Sequence, residues 1–282
     1  MAYAILGPSG TFSEEAARLY WGDDAELSLI PNIAELFQRL ENGQAEGALI
    51  PIDNSLAGTI NVSMECLEAS CVNIKGEITI PITQHLMAGS KYQLDEIELL
   101  ISQPAALLQC EGFIRNNLAG VRREITDSTT AAAQIIRGEK KRAACIGNWQ
   151  ASRLYELEII ESNIQDEDNL TRFIHVAAGE AIPGIGEKSS IIFTLPDYPG
   201  ALYKALGIFA SRNLNLSKIE SQPARNRNAS FSFYTEVDTP GNVLLLEQVL
   251  SALKQICTNV KYLGSYNEAK RCCPLLKRSD TY

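Results

Sequence analysis

The sequence predicts an α/β protein of two domains, the first spanning residues 1–179 and the second residues 190–267. Short apolar runs alternate with amphipathic stretches through the first part, which is typical of a largely parallel sheet flanked by helices. A segment rich in Gly, Pro and small residues, 177–190, interrupts this pattern and is typical of a linker. Beyond it the segments follow the order β-α-β-β-α-β, which is that of a ferredoxin-like fold.

Apolar runs predict the strands of the first domain, and amphipathic stretches predict its helices. In chain order the strands are expected at AYAIL, SLIPN, GALIPI, ITIPITQHLMA, IELLIS, VRREIT, RAACIG and RFIHVAA. The helices are expected at SEEAARLYW, IAELFQRLENG, PAALLQCEGFIRNNL and TTAAAQIIRG. Small ligands bind to sheets of this kind at the carboxyl ends of the strands. The residues that follow the strands are therefore the candidates for a site.

The second domain begins with the strand SSIIFTL, and the turn PDYPG leads into the helix ALYKALGIFASRN. In that helix Leu202, Leu206 and Phe209 recur at helical spacing. The strand LNLSKIESQPA and a polar turn, ARNRNA, precede the strand SFSFYTEVD, in which residues pointing to one face are mainly apolar. The helix NVLLLEQVLSALKQI and the strand NVKYLGSY complete the order. The residues from 268 onward are expected to form a loose terminus.

Composition and charge narrow the class of protein. Of 282 residues, 45% are hydrophobic and 21% are charged, an ordinary globular balance. The net charge of -9 argues against nucleic acid as a partner, because phosphate groups would be repelled. There is no signal-peptide pattern, and no apolar segment reaches the roughly 18 residues needed to cross a bilayer. Scattered Cys indicate reduced thiols, and His85 and His175 lack metal-ligand spacing and are expected to be structural. We expect a cytoplasmic protein with no metal, membrane or nucleic-acid partner.

A glycine-rich turn, GPSG at residues 7–10, follows the first strand. Thr11 and Glu14 have the spacing of a capping box, in which each side chain caps the backbone of the other. The N–H groups of such a turn can face an anion. The turn matches neither G-x-G-x-x-G nor a Walker A sequence, so a nucleotide site has little support. An ordinary capped helix start explains the same residues.

Polar residues follow two further strands. Asp53, Asn54 and Ser55 come directly after an apolar run, where an Asx turn is the simpler explanation. Ser102 ends a later strand and suits a helix N-cap, with Gln109 two helical turns along the chain.

The same pattern recurs at two more positions. Asp127, Ser128 and Thr129 precede an Ala-rich helix, and Thr171 with Arg172 opens the last strand of the domain. A helix cap or a solvated strand entrance explains each group taken alone. Because the carboxyl ends of strands in an α/β sheet meet at one edge, their recurrence predicts a single polar pocket.

The chain resembles prephenate dehydratases over nearly its whole length. The motifs that carry the resemblance, in the family's order, are GPSGTFSEEA, PIDNSLAGTI, SQPAALLQC, DSTTAAA and NLTRF, and Thr-Arg-Phe is the most specific part of them. The second domain is similar to ACT regulatory domains in its GALY and ESQP motifs. The departures are Asp53 where the family usually has Glu, Gln103 and Ala105 where His and Gln are common, and Gln222 in place of a frequent Arg.

The resemblance implies a first domain of two lobes, like a periplasmic binding protein, with the cleft between them. It implies conversion of prephenate to phenylpyruvate with loss of water and carbon dioxide, without cofactor or metal. Formation of the aromatic ring drives this reaction, so the enzyme needs a donor for the departing hydroxyl and groups that hold a dianion. The chain starts directly at its first strand, so we expect a monofunctional enzyme without a chorismate mutase segment.

The resemblance also implies roles for individual residues. Thr171 is expected to hydrogen-bond the departing hydroxyl. Arg172 is expected to pair with a substrate carboxylate or to brace the cleft, and Phe173 to pack against the ring or fix the strand. The other expected catalytic contacts are Asn54, Ser102 and Gln109. The expected substrate-binding residues are Pro8, Ser9, Gly10, Thr11, Asp53, Ser55, Asp127, Ser128 and Thr129.

The ACT resemblance implies that phenylalanine binds the second domain and inhibits the first. Gly200, Ala201 and Leu202 lie at a helix start, whose N–H groups can bind a carboxylate. Glu220 and Ser221 lie near a strand end, where Glu220 would accept the ammonium or brace the loop. ACT domains usually pair side by side, so we expect a homodimer or homotetramer with this site at the subunit interface. A tight turn alone would explain Gly200 as well.

Two alternatives stay open at the level of sequence. Arogenate dehydratase acts on a substrate that differs by an amino group in place of a keto group, and the sequence does not separate the two. A non-catalytic amino-acid sensor would also combine a binding-protein fold with an ACT domain. The intact Thr171-Arg172-Phe173 triplet favours catalysis.

Overall fold

The structure is a computed structural model that describes residues 1–138, 142–224, 231–239 and 241–267. In chain order its strands are β1 (Tyr3–Leu6), β2 (Leu27–Ile30), β3 (Ala48–Asn54), β4 (Gly58–Thr59), β5 (Val72–Pro81), β6 (His85–Ala88), β7 (Leu99–Ser102), β8 (Arg122–Ile125), β9 (Ala143–Gly147), β10 (Glu158–Glu161), β11 (Leu170–Ala178), β12 (Lys188–Leu195), β13 (Leu216–Pro223), β14 (Phe231–Asp238) and β15 (Asn259–Tyr266). Its α-helices are α1 (Phe12–Trp21), α2 (Ile33–Glu41), α3 (Asn61–Ala69), α4 (Pro104–Gln109), α5 (Glu111–Asn117), α6 (Thr129–Gly138), α7 (Trp149–Tyr155), α8 (Ala201–Ala210) and α9 (Val243–Ile256). Most of the expected polar turn ARNRNA, and all of the expected loose terminus from residue 268, lie outside the described residues.

One sheet of the first domain has the strand order β2-β1-β3-β11-β5, with β4 paired to β3. β1 runs parallel to β2 and β3, whereas β11 runs antiparallel to both of its neighbours. Helix α1 packs on one face, where Ala16 and Ala17 lie in one cluster with Ile5, Leu49 and Phe173. Helices α2 and α3 pack in a second cluster on the other face. We call this sheet with α1 to α3 lobe 1.

The other sheet of the first domain has the order β10-β6-β9-β7-β8. β7, β8 and β9 are parallel, and β6 runs antiparallel to β9 and β10. Helices α4 and α5 pack on one face through Ala106 and Ile114, and α6 and α7 pack on the other through Ala132 and Ala151. We call this sheet with α4 to α7 lobe 2. The expected division of the first domain into two lobes is confirmed.

The chain passes between the lobes twice, through residues 82–84 and 162–169. The apolar run ITIPITQHLMA predicts one strand, and this prediction is wrong, because β5 belongs to lobe 1 and β6 to lobe 2. Hydrophobicity does not mark the break, since the strands on both sides of it are largely buried. The two connections touch, because the Ile82 N–H donates to the Asn169 carbonyl oxygen at 2.7 Å. The sequence predicts one largely parallel sheet, whereas the structure has two mixed sheets. Strand β11 is antiparallel to its neighbours in lobe 1, and β6 is antiparallel to its neighbours in lobe 2.

Other elements of the first domain also differ from expectation. The expected helix PAALLQCEGFIRNNL is divided into α4 and α5, because Cys110 between them leaves helical geometry (φ -117°, ψ 19°). Strands β4 and β10 and helices α3 and α7 have no counterpart among the expected segments. These elements are short or only weakly amphipathic, so their sequences carry little periodic signal.

The second domain contains a four-stranded antiparallel sheet of order β13-β14-β12-β15. Helices α8 and α9 cover one face, and the β-α-β-β-α-β order is confirmed. The other face packs on lobe 1, where Ile192, Tyr234 and Leu263 share a buried cluster with Ile74. At Gly264 (φ 134°) an added Cβ would lie 2.5 Å from the Ile74 carbonyl oxygen. Glycine is therefore required for this close approach of β15 to β5.

Within the described part of the chain, none of the helices is both long and apolar enough to span a membrane. The same residues contain no group of three or more His, Cys, Asp or Glu side chains placed to hold a metal ion. Cys71, Cys110, Cys145 and Cys257 carry free thiols. Burial raises the pKa of Cys110 to about 12 and that of Cys257 to about 11, so both thiols are protonated at neutral pH.

Candidate active site

The expected site residues lie at two sheet edges that meet between the lobes. In lobe 1 this edge holds the carboxyl ends of β1 and β3 and the amino end of β11, which is antiparallel to β3. In lobe 2 it holds the carboxyl ends of β7, β8 and β9. The short connection 82–84 joins the two edges. The lobes approach closely there, since a Cβ added to Gly10 of lobe 1 would lie 3.5 Å from Thr130 and from Ala151 of lobe 2.

Asn54 and Thr171 form a hydrogen-bonded pair at this edge of lobe 1. The residues lie opposite each other on β3 and β11, and Asn54 Nδ2 donates to Thr171 Oγ1 at 2.9 Å. The orientation of the amide is fixed, because Asn54 Oδ1 accepts from the backbone N–H groups of Leu56 (3.0 Å) and Ala57 (2.8 Å). Since Thr171 Oγ1 accepts from Asn54, the hydroxyl hydrogen of Thr171 can be donated to a third group.

Asn169 and Ser55 support this pair. Asn169 Oδ1 accepts from Asn54 Nδ2 at 2.6 Å and from Ser55 Oγ at 3.4 Å, and Ser55 Oγ accepts from the Leu170 N–H at 2.9 Å. Asn169 is not among the expected site residues, although it is 4% exposed and belongs to the NLTRF motif. Its position in the NLTRF motif, two residues before Thr171, is the sequence signal that could have identified it.

Arg172 and Phe173 have surroundings of different kinds. The Arg172 guanidinium lies at the contact with the second domain, where it pairs with carboxylates of Asp53 (2.6 Å), Glu77 (2.8 Å) and Glu236 (2.6 Å). Burial alone would lower the pKa of Arg172, but Glu236 and Asp53 raise it above its ordinary value. Phe173 is 2% exposed and lies on the face of β11 that packs against α1, in the same cluster as Ile5.

The glycine-rich turn is organised around Glu14. The Glu14 carboxylate accepts from the Ser9 hydroxyl at 2.7 Å and from the Gly10 N–H at 2.8 Å. The expected capping box is wrong, because Thr11 makes no side-chain cap and Glu14 reaches Gly10 instead of Thr11. Burial would raise the pKa of Glu14, but the bonds from Ser9 and Gly10 and the charge of Arg18 lower it below its ordinary value. Pro8 lies in the same turn and is exposed.

Two expected residues of lobe 2, Ser102 and Gln109, are held by hydrogen bonds. Ser102 bonds to the sheet of lobe 2, and Gln109 bonds to the connection 82–84. Ser102 is fully buried, and its hydroxyl donates to the Ile146 carbonyl oxygen at 3.0 Å. Gln109 Oε1 accepts from Gln84 Nε2 at 3.1 Å. Gln84 lies in the connection 82–84 and is 2% exposed, and its Oε1 has no hydrogen-bond partner within the described part of the chain.

The remaining expected residues of lobe 2 lie at the start of α6. Ser128 caps this helix, since its Oγ accepts from the Ala131 N–H at 3.0 Å. Thr129 is buried and Asp127 is exposed. Thr130 follows them, and its buried Oγ1 has no partner among the residues that the structure describes.

A hydrogen bond links the lobes beside these residues. Asn148, which follows β9, donates from Nδ2 to Glu15 Oε2 at 3.1 Å and caps α7 through its Oδ1. Burial raises the pKa of the Glu15 carboxyl to about 7, although the bond from Asn148 lowers it. Neither residue is among the expected site residues, and an i, i+1 pair of Glu at a helix start carries no signal for such a contact.

The two His lie in structural surroundings. His175 packs edge-on against the rings of Tyr3, Tyr20 and Trp21, and burial, followed by the charge of Lys75, lowers its pKa to about 4. His85 Nδ1 accepts from the backbone N–H of residue 163 at 3.3 Å. Burial lowers the pKa of His85.

The expected regulatory residues occupy two faces of the second domain. Gly200 (φ 86°) is the N-cap of α8, followed by the buried Ala201 and the partly exposed Leu202. Glu220 lies on the face of β13 directed at lobe 1, and its carboxylate accepts from the Thr59 hydroxyl at 2.6 Å. Ser221 points to the opposite face of β13, which is an edge strand.

The chain shows sequence similarity to characterised proteins. The prephenate dehydratase family model matches residues 3–181, and the ACT domain model matches residues 189–258. The "Prephenate dehydratase" of Lactococcus lactis subsp. lactis is 35% identical over 94% of this chain and 97% of that protein. The "Arogenate dehydratase 2" of Petunia hybrida is 32% identical over 93% of this chain and 71% of that protein.

Solved structures show the same fold. The prephenate dehydratase of Arthrobacter aurescens in complex with L-Phe has a TM-score of 0.85 and 28% identity, over 98% of this chain and 94% of that chain. The quorum quenching acylase GqqA has a TM-score of 0.82 and 26% identity, over 96% of this chain and 98% of that chain. The match to the family model covers more than half of the residues, and the chain belongs to the prephenate dehydratase family.

Proposed function

We propose that this chain converts prephenate to phenylpyruvate, water and carbon dioxide. The observation that supports the proposal is the Asn54–Thr171 pair, which lies where the lobes meet in a member of the prephenate dehydratase family. In the reaction the ring carboxylate leaves as carbon dioxide and its bonding electrons enter the ring. The ring hydroxyl leaves as hydroxide, which takes one proton from solvent to become water, and the ring becomes aromatic.

Thr171 is the catalytic donor in this proposal. Its oxygen accepts from Asn54, so its hydrogen is directed to the departing hydroxyl of the substrate. A Thr hydroxyl is a weak acid, so its effect is stabilisation of the developing hydroxide by a fixed hydrogen bond rather than complete proton transfer. Asn169 and Ser55 hold Asn54 in the orientation that this requires.

The substrate dianion needs donors for its two carboxylates. We assign one carboxylate to Ser128 and Thr129 at the start of α6, because a helix N-terminus favours an anion and Thr130 Oγ1 has no partner within the described residues. The Ser9 hydroxyl and Gly10 N–H, which we assign to the other carboxylate together with Pro8 and Thr11, donate to Glu14 in this conformation. To bind the substrate, the Ser9 hydroxyl and the Gly10 N–H would have to break their hydrogen bonds to Glu14 and donate to the carboxylate instead.

The other expected residues divide into contacts and supports. We propose that Gln109, held by Gln84, contacts the substrate, and that Ser102 fixes the edge of β7. Phe173 supports Thr171 by packing on the α1 face of β11, and Arg172 supports it from the opposite face. Asp53 supports the neighbouring Asn54 through its ion pair with Arg172. Asp127 is proposed to orient the donors beside it.

Regulation by phenylalanine is part of the proposal. The relative from Arthrobacter aurescens was solved with L-Phe, and we place the corresponding site of this chain at Gly200, Ala201 and Leu202. The edge strand β13, which contains Ser221, would pair with a second copy to give a homodimer or a homotetramer. Glu220 would then connect this interface to lobe 1 through Thr59. We place the enzyme in the cytoplasm.

The direct test is turnover of purified protein. Prephenate and arogenate are supplied separately, without added metal or cofactor, and the phenylpyruvate or phenylalanine formed is measured. Because one structural neighbour is described as an acylase, the fold alone does not decide the reaction. We expect turnover of prephenate. Turnover of arogenate alone would correct the substrate, and no turnover of either would overturn the proposed activity in favour of a sensor.

A further inference from the structure

The active-site pair lies one residue away from a cluster of charges between the domains. On β11 and β3, Thr171 is opposite Asn54 and Arg172 is opposite Asp53. Successive residues of a strand point to opposite faces. The residues that face the cleft are therefore adjacent in sequence to residues that face the second domain.

The charge cluster joins three cations to three carboxylates. Lys218 on β13 and Arg172 both contact Asp53 Oδ2, at 2.8 and 2.6 Å. Arg172 also contacts Glu236 on β14 at 2.6 Å through Nη2 and at 2.8 Å through Nη1. Lys188 on β12 lies 2.8 Å from Glu77 of lobe 1 and 3.4 Å from Glu236. Every carboxylate of the cluster thus contacts Arg172 and one of the two Lys.

Glu236 is the second-domain carboxylate on which this cluster depends. Its side chain is 3% exposed, and its Oε1 also accepts from the Tyr234 hydroxyl at 2.9 Å. Burial would raise the pKa of Glu236, but Arg172 and Lys188 lower it below its ordinary value, so it is charged at neutral pH. Removing a buried charged partner leaves the opposite charge uncompensated and displaces it.

The ladder between β11 and β3 is irregular beside the active-site pair, whereas Thr171 pairs in register with Ile80 of β5 and Asn54 pairs with Gly58 of β4. The pairing of β11 with β3 shifts register between Arg172 and Phe173, so Thr171 and Asn54 lie beyond an irregularity in the ladder. The ion pairs of Arg172 with Glu236 and of Asp53 with Lys218 add a further constraint on this end of both strands.

We propose that Glu236 and Lys218 of the ACT domain are positioning residues for the dehydratase reaction, acting through Arg172 and Asp53 on Thr171 and Asn54. The proposal rests on the proposed function for its activity readout. It makes the second domain a part of the catalytic apparatus as well as the proposed regulatory unit. A misplacement of about 1 Å in a reacting group costs on the order of 100-fold in rate.

The test compares Glu236→Gln and Lys218→Met with two controls. Thr235 lies next to Glu236 on β14 and points to the opposite face of the sheet. Thr235→Val removes a buried hydrogen bond from Thr235 to the Ile191 carbonyl oxygen of β12. Lys261→Met removes a different contact between the domains, in which Lys261 Nζ donates to the carbonyl oxygens of Leu67 and Glu68. The first control measures the effect of general destabilisation, and the second measures the effect of a weakened contact between the domains. An effect of the charge cluster must differ from both.

We measure kcat and KM for prephenate, thermal unfolding, and backbone hydrogen exchange in peptides that cover residues 50–57 and 168–174. Both cluster variants should lower kcat by roughly 10- to 100-fold with KM within about threefold, and should raise exchange in these peptides. Glu236→Asp should recover part of kcat. The controls should keep kcat and exchange near wild type. If the cluster variants keep kcat and exchange, or if Lys261→Met reproduces their effect, the proposal is overturned.

Absence of turnover in the wild type would refute the proposed function separately. The exchange measurement would still decide the positioning role. If Glu236→Gln does not fold, Lys218→Met, whose side chain is less buried, decides it.

Discussion

Replacing Thr171 by Val would remove one hydroxyl from the cleft while keeping a β-branched side chain of nearly the same shape. The structural cost is small, because the Asn54 amide keeps its 2.6 Å bond to Asn169 and its two bonds to backbone N–H groups. One lost side-chain hydrogen bond corresponds to about 1 kcal/mol of unfolding free energy. The melting temperature should therefore fall by roughly 2–4 °C.

The catalytic cost should be much larger. Loss of one preorganised donor to developing negative charge lowers kcat by about 10²- to 10³-fold. KM for prephenate should change little, because the bond strengthens in the transition state rather than in the bound substrate. The assay follows phenylpyruvate in alkali by its ultraviolet absorbance, beside Thr171→Ala and Thr171→Ser. The Ser variant should retain much of the activity, because the hydroxyl survives. Equal turnover by wild type and Thr171→Val would refute the role assigned to the hydroxyl.

Other outcomes are expected from the same geometry. The lobes should close about the connections 82–84 and 162–169 when a substrate-like dianion binds, and unchanged small-angle scattering would exclude closure. Gly200→Val should abolish phenylalanine binding in calorimetry together with inhibition, and a variant that still binds would move the regulatory site elsewhere. Burial raises the pKa of Glu15 to about 7 from an ordinary 4.5, so the wild type should lose stability as pH rises from about 4.5 through 7. Glu15→Gln, which keeps an acceptor for Asn148, should lack that loss, and parallel melting curves against pH would contradict the assignment.

The sequence is a good guide to the strand ends of lobe 1. Asn54 follows an apolar run and Thr171 opens one, and the sequence groups both with the polar residues of one pocket. The rule for the carboxyl ends of parallel strands does not itself place Thr171 there, since Thr171 lies at the amino end of β11 and reaches this edge because β11 is antiparallel to β3. The family motifs identify the same residues independently. The strand-end pattern does not provide the support around the pair, since it does not include Asn169, which bonds to Asn54.

The connection between the lobes was not predictable from periodicity. In ITIPITQHLMA the break falls at residues 82–84, and apolar residues occupy both sides of it. A strand that ends in one sheet and a strand that begins in another have the same local pattern as one continuous strand. Only tertiary pairing distinguishes the two cases, because β5 pairs with β11 and β6 with β9. The prediction of a capping box at Glu14 failed for a related reason, since a capping box and a bond to Gly10 need the same residue types.

The adjacency of Thr171 and Arg172 follows from the geometry of an extended strand. The two side chains point to opposite faces of β11, so a residue that faces the cleft must be followed by one that faces the second domain. Arg suits that second position, because its planar guanidinium contacts Asp53, Glu77 and Glu236 at the same time. Lys, with a single charged nitrogen, could not make the same set of bonds. A Thr-Arg pair that looks like a polar strand entrance in the sequence therefore combines a donor for the cleft with an anchor for the neighbouring domain.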